Sequence, residues 1–241
     1  MGGKRKNEKV DQIKMKKEFL VLDCLSGSHS YTLEENSELE LVIIQEESCE
    51  SSIEVTLKKC SRLKIFTFCF GGKIKNNVKV NLNGELANAS LVGLTIADGN
   101  EIMENHIFMR HACGHTESNQ IYKSILSDRA MAVFDGKIRV EKGADKSNAY
   151  QLNKNILLSD EATMQSKPQL EIFADDVKCT HGATTGQIDR EAIFYLKSRG
   201  IGENEARKIL IEAFVEDLVS GINDLGLRKS IMTKIAKKLK I

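Results

Sequence analysis

Two short stretches carry residue types that hold metals or handle sulfur. Met-Arg-His-Ala-Cys-Gly-His-Thr at 109–116 spaces His111, Cys113 and His115 two apart. Asp-Asp-Val-Lys-Cys-Thr-His-Gly at 175–182 spaces Cys179 and His181 the same way. In an extended strand alternate residues share one face, so each stretch is expected to aim its thiol and imidazole groups to one side. A thiolate beside a neutral imidazole suits zinc, iron or an iron–sulfur cluster. Three ligands so close on one strand rarely close around one ion, and the first stretch has no obvious fourth. The second is half a site, the form that a subunit interface completes.

The other routes to chemistry are missing. Gly71-Gly72-Lys73 is turn material, not a phosphate-binding loop, and no G-x-G-x-x-G, G-x-S-x-G or H-E-x-x-H occurs. The chain is read as non-catalytic. The six cysteines (Cys24, Cys49, Cys60, Cys69, Cys113, Cys179) form no C-x-x-C pair. Without an apolar leader after Met1 a reducing cytoplasm is the expected compartment, and a free buried cysteine there is usually a small apolar filler. A net charge of +1 over 241 residues gives no overall basic field for nucleic acid, and no apolar run is long enough for a membrane helix. The basic ends, Lys4 to Lys17 and Arg228 to Lys240, read as solvated faces.

The elements that must position these residues are legible as short alternating runs. Leu39, Leu41 and Ile43 open the series, followed by Ile53, Val55 and Leu57. In the third run the apolar parity switches from Leu63 and Ile65 to Phe66, Phe68 and Phe70, which means two apolar faces or a bulge. Val78, Val80 and Leu82 follow, then Ala89 and Leu91. Every second run recurs after 24 to 26 residues, which suggests a solenoid with two strands per coil. The pattern resumes after 119 and continues to Phe173, with Pro168 expected at a strand entrance. After Gly186 the period becomes helical. Asp189 caps a first helix that Gly200 ends, a second runs from Asn204 to Ser220, and a third from about Arg228 to Leu239. The second is expected to bury a stripe of Ala206, Ile209, Leu210, Ala213, Phe214 and Leu218. The chain is thus divided into a charged tail or short helix at 1–18, a mainly β core at 19–186, and a helical domain at 187–241 that caps the core.

The stretch 167–189, Lys-Pro-Gln-Leu-Glu-Ile-Phe-Ala-Asp-Asp-Val-Lys-Cys-Thr-His-Gly-Ala-Thr-Thr-Gly-Gln-Ile-Asp, resembles the SufB/SufD family of iron–sulfur cluster assembly proteins. So do Ala-Val-Phe-Asp-Gly-Lys-Ile at 132–138, Gln-Leu-Asn-Lys-Asn-Ile-Leu-Leu-Ser at 151–159 and Ile-Phe-Tyr-Leu-Lys-Ser-Arg-Gly-Ile at 193–201. The resemblance implies a right-handed parallel β-helix with a C-terminal helical domain. It implies that the helices dock an ABC ATPase, SufC, through residues such as Phe194, Tyr195, Arg199, Ala213 and Phe214. It implies pairing with a SufB-like subunit, or with a second copy, through the last β-helix strands.

Cys179-Thr180-His181-Gly182 is similar to the SufD branch. SufB-type chains carry an acidic residue where Gly182 stands and a cluster-building cysteine near Asn153, and this chain lacks both. His181 then matches the interface histidine of the family, with Cys179 as the neighbouring thiol. Cys113, His111 and His115 are the secondary ligand candidates, His111 reading more readily as structural. No tightly bound cofactor is expected, only transient iron or an Fe–S cluster at the interface. A β-helical binding module or a metal or sulfur carrier, without an ATPase partner, is the alternative.

Overall fold

The computed structural model describes residues 9–13 and 17–239. Fourteen described strands run as β1 (Lys9–Ile13), β2 (Glu18–Asp23), β3 (Gly27–Leu33), β4 (Glu38–Gln45), β5 (Cys49–Leu57), β6 (Arg62–Cys69) and β7 (Lys73–Leu82), then β8 (Asn88–Ala97), β9 (Ile102–His111), β10 (Glu117–Leu126), β11 (Met131–Val140), β12 (Asn148–Leu157), β13 (Thr163–Ile172) and β14 (Lys178–Gly186). Helices α1 (Arg190–Ser198), α2 (Glu203–Ser220) and α3 (Leu225–Leu239) follow. The odd strands form one sheet in the order β1-β3-β5-β7-β9-β11-β13, and the even strands another from β2 to β14. Every pairing described is parallel. The molecule is the expected mainly β parallel solenoid with a helical C-terminal unit.

Part of the segment read as a tail or short helix is a strand: β1 adds to β3, with Lys9 opposite His29. The exposed edge of β3 offers backbone groups that a short strand satisfies. Residues 1–8 and 14–16 of that segment lie outside the described residues.

Alternation explains the two-sheet core. Leu33, Leu57, Leu82, His111 and Val140 stand opposite one another in successive coils, and all are fully buried. The step between register partners is 24 residues from Leu33 to Leu57 and 25 to Leu82, then 29 to His111 and 29 to Val140. The period read from the early runs therefore lengthens toward the C-terminus, as strands grow to 10 residues. Gly93 is needed where it stands, because an added Cβ would lie 2.2 Å from the ring of Tyr122 in the next coil.

The parity switch in β6 is not a bulge. Its register with β4 and β8 is unbroken from Arg62 to Cys69. Leu63 and Ile65 join the core between the sheets, while Phe66, Phe68 and Phe70 face the helices. Val42, Ile44, Leu94, Ile96 and Ile125 join them under Ile193, Ile211, Val215, Leu218, Ile231 and Ile235. The helices thus cover the flank of the even-strand sheet, because that is where the solenoid is apolar on its outer surface. The expected stripe on α2 is displaced: Ala206, Ile211, Val215, Leu218 and Val219 are buried, Leu210 and Phe214 are partly so, and Ala213 is exposed. Asp189 caps α1 through bonds from Glu191 and Ala192 N–H at 2.8 and 3.3 Å. The third helix starts earlier than read, because Asp224 caps it by accepting from Leu227 N–H at 2.8 Å.

A buried lysine ties α2 to the even-strand sheet. Lys123 of β10 points out of the sheet and is buried under α2. Its Nζ donates to Asp217 Oδ1 at 2.7 Å and to Phe214 O at 2.6 Å, and lies 4.7 Å from the Phe214 ring centroid. Hydrogen bonds to a charged group are worth about 1.5–3 kcal/mol, less here because Asp217 stays mostly in water. Lys123→Ala is expected to lower stability by about 2 kcal/mol, the lost packing of the stem included. The urea midpoint measures it, and an unchanged midpoint refutes the clamp.

Pro168 lies within β13 rather than at its entrance. Thr163 and Phe173 donate their N–H groups to β11-side carbonyls, Ala130 O and Val140 O. In a parallel strand alternate residues bond to opposite sides, so the even residue Pro168 meets the unpaired side of this last strand. A missing N–H is tolerated there.

Candidate functional site

The two chemical stretches meet different fates. His111 is the last residue of β9 and is fully buried. Its Nδ1 lies 2.8 Å from Thr116 Oγ1 and its Nε2 2.8 Å from Ser118 Oγ. Thr116 Oγ1 in turn lies 2.9 Å from Ser147 Oγ. Burial pulls the imidazole pKa down to about 4, so it is neutral at physiological pH. Both ring nitrogens are used inside the chain.

The expectation that His111, Cys113 and His115 share one strand face is not met. The strand ends at His111, and the backbone turns through Gly114 and a left-handed His115 at φ 56°. Asn36, Cys60, Leu86 and Lys146 are left-handed too. Each of these corner residues donates its N–H to a backbone carbonyl in the next coil: Asn36 to Lys59 O, Cys60 to Glu85 O, Leu86 to His115 O, His115 to Asp145 O. The position takes Asn, Cys, Leu, His or Lys, so its need is geometric. His115 is exposed and Cys113 is half-buried, its thiol 3.9 Å from Leu82 O.

Cys179 and His181 do share one face of β14, at the C-terminal end of the solenoid. The register puts Cys179 over Ala149, and His181 over Gln151, which stands over Gln120. These are the positions that face the other sheet. Cys179 is half-buried against the core, while His181, with no further coil above it, is exposed. Burial pushes the Cys179 thiol up, and a hydrogen bond with the Ala149 backbone partly offsets this. Beneath His181, Gln151 Nε2 donates to Gln120 Oε1 at 3.0 Å. Gln151 Oε1 and Gln120 Nε2 are buried without a partner among the described residues. The sequence motifs above do not include this polar column. Its signal was a glutamine at an inward parity position in each of two neighbouring strands.

The free edge belongs to the same residues. Lys178 N–H bonds Ser147 O, so the even residues of β14 face β12. The backbone groups of Cys179, His181, Ala183 and Thr185 therefore point to the open side. Ile172 and Phe173 are exposed near the end of β13, with the Arg139 guanidinium 5.1 Å from the Phe173 ring centroid. Asn153 is buried; its Nδ2 donates to Tyr122 O at 3.1 Å, and its Oδ1 accepts from Asn155 and Ser166. A Cβ at Gly182 would meet only Leu152 Cδ1, at 3.5 Å. Among the described residues no three His, Cys, Asp or Glu side chains converge as a metal site.

On the helical unit, Phe194 and Tyr195 are 75% and 58% exposed. Arg199 stacks on Tyr195, its guanidinium carbon 5.3 Å from the ring centroid, and donates to the phenol oxygen at 3.3 Å. Ala213 is exposed. Phe214 is half-buried and engaged by Lys123, so it serves the helix–sheet contact. No described helix is long and apolar enough to cross a membrane.

The domain is a parallel two-sheet solenoid with helices on one flank and with a thiol and an imidazole at an unpaired terminal edge. Residues 14–214 match the family model described as SUF system FeS cluster assembly, SufBD core domain, and the chain belongs to that family. It is 40% identical to the iron–sulfur cluster assembly protein SufD of Escherichia coli over 174 residues, 72% of this chain and 41% of that protein. It is 34% identical over 195 residues to an iron–sulfur cluster assembly SufBD family protein of Synechocystis, covering 79% of this chain and 43% of the relative. The match to SufD of Plasmodium falciparum is 32% over 168 residues, 69% of this chain and 12% of the relative. The chain thus spans less than half the length of these relatives.

Proposed function

We propose that the chain is a non-catalytic, SufD-like scaffold subunit for iron–sulfur cluster assembly. It pairs with a SufB-like subunit, or with a second copy, through β14, and contributes His181, with Cys179 beside it, to a shared site for transient iron or a nascent cluster. An ABC ATPase, SufC-like, docks on the exposed Phe194–Tyr195–Arg199 surface and supplies the energy of ATP. The observation that carries this reading is the free edge of β14. Its open backbone groups belong to the same residues whose side chains are the ligand candidates, so pairing there satisfies the edge and brings partner ligands to His181. The adjoining edge at β13 lacks a donor at Pro168, which favours β14 as the strand that pairs. One imidazole and one thiol are half a coordination sphere, and the partner completes it. The names of the relatives support the cluster-assembly setting.

The test is anaerobic isolation of the tagged chain with its bound proteins, followed by iron loading of the isolated assembly. The expected result is co-isolation of an ABC ATPase with a SufB-like chain, or with a second copy. His181→Ala is expected to lower iron retained by the assembly by about ten- to a hundredfold, with unfolding unchanged because the side chain is exposed. Unaltered iron retention in an intact assembly refutes the role of His181. Isolation without any ATPase refutes the docking role and leaves a β-helical binding module.

A further inference from the structure

Three cysteines gather at one corner of the solenoid, far along the chain from β14. Cys24 follows β2, and its N–H donates to Ile44 O at 2.8 Å. That bond carries the β2–β4 register one residue past Asp23 and Ile44, so Cys24 stands opposite Gln45. Gln45 stands opposite Cys69 in the next coil. Cys49 opens β5, whose Ser51 pairs with Gly27. Cys49 packs against the small buried cluster that holds Cys69, and Leu25 is the residue after Cys24. Gln45 Nε2 pins the corner by donating to Leu25 O at 3.0 Å. Cys24 and Cys49 thus flank Gln45 at one corner, Cys24 across the strand pairing from it and Cys49 four residues further along the chain.

The three thiols differ in access. Cys24 is exposed, at a left-handed φ of 49°, Cys49 is half-buried, and Cys69 is buried. Burial pushes the Cys69 thiol up to about 12, and it accepts from Asn76 Nδ2 at 3.3 Å. It is an inert member of the core. Cys49 is also held above its ordinary value, by burial first and then by the neighbouring Cys24, which places the two sulfurs in electrostatic reach. No three metal-ligating side chains converge here among the described residues. The corner therefore holds a pair of thiols, one accessible and one sheltered behind it.

We propose that Cys24 and Cys49 are a redox pair that closes to an intrachain disulfide in the presence of a peroxide. The Cys24 thiolate attacks the O–O bond, forming a sulfenic acid, and the departing oxygen leaves as water after protonation. The Cys49 sulfur then attacks the sulfenic sulfur. The S–S bond forms, the S–O bond breaks, and the hydroxyl takes the Cys49 proton as a second water. Two thiols are oxidised and one peroxide is reduced. The bond ties the corner of the first coil to β5, and cellular dithiols reverse it by exchange.

The experiment oxidises the folded full chain with hydrogen peroxide and then alkylates it after denaturation. Digestion at glutamate separates the two cysteines, because Glu34 to Glu47 lie between them. The expected product is one chain lighter by two hydrogens, with two of its six thiols protected and the Cys24 peptide joined to the Cys49 peptide. Dithiothreitol restores both. Cys49→Ser is expected to abolish the cross-link and leave oxygen on Cys24. Recovery of Cys24 and Cys49 on separate peptides from oxidised wild-type chain overturns the proposal, as does a bond joining two chains. The outcome does not depend on any role for His181.

Discussion

Phe194→Asp is expected to weaken binding of the proposed ABC ATPase partner by at least about thirtyfold while leaving the unfolding midpoint unchanged. Phe194 is 75% exposed on α1, so folding does not rely on burying it. It stands beside Tyr195, which is 58% exposed and holds Arg199 across its ring. Phe, Tyr and Arg are the residue types that carry interface energy, and a central aromatic anchor is worth about 2 kcal/mol or more, which is thirtyfold in affinity. Aspartate removes the anchor and adds a charge that the interface must desolvate. Phe214 is a poorer place to test docking. Its ring lies under Lys123, so a charge there disturbs the contact between helix and sheet before any partner is added. Calorimetric titration of the ATPase with wild-type and Phe194→Asp chains, beside urea unfolding of each, separates the two effects. Equal affinities remove α1 from the docking surface.

How far the chain could be read in advance follows from which forces are local. Alternation at Leu39–Ile43 and Ile53–Leu57 is a local signal, and it located strands and period together. The helical caps at Asp189 and Gly200 are local as well. The helical period alone starts the third helix late, because the start is set by the cap at Asp224. The stripe of α2 was displaced because the surface that selects it, Phe66, Phe68 and Val42, comes from strands about 150 residues earlier, and no helical period encodes that. His115 shows the same limit. Its spacing from Cys113 and His111 suggested ligands on an extended strand. The corner conformation goes instead with the hydrogen bond that His115 N–H donates to Asp145 O of the following coil. Pairs such as Cys24 and Cys49 become neighbours only through the register. That Cys179 and His181 share one strand face is legible, because both sit on one strand, where period two suffices. Their position at an open end, above Gln151 and Gln120, needed the topology.

The buried histidine is expected to make the solenoid acid-labile. Its pKa is about 4 when folded, against about 6.5 in an unfolded chain. Between those values the unfolded chain binds more protons, so stability falls as pH drops. The contribution is fully present above about pH 6.5, declines through pH 5 and is lost near pH 4, amounting to about 3 kcal/mol across the window. The cause is burial, since Thr116 and Ser118 hydroxyls serve the neutral ring and no carboxylate among the described residues bonds it. His111→Asn removes the titration but keeps polar atoms at the site. Its unfolding free energy is expected to be lower at pH 7 by about 2 kcal/mol, from imperfect packing and two displaced hydroxyl contacts. Its pH dependence from 6.5 to 4 is expected to be flatter than that of the wild-type chain. Urea unfolding at closely spaced pH values reads both. Parallel curves for the two chains assign the acid lability to other groups, and a larger loss in the variant at pH 5 than at pH 7 reverses the sign argued here.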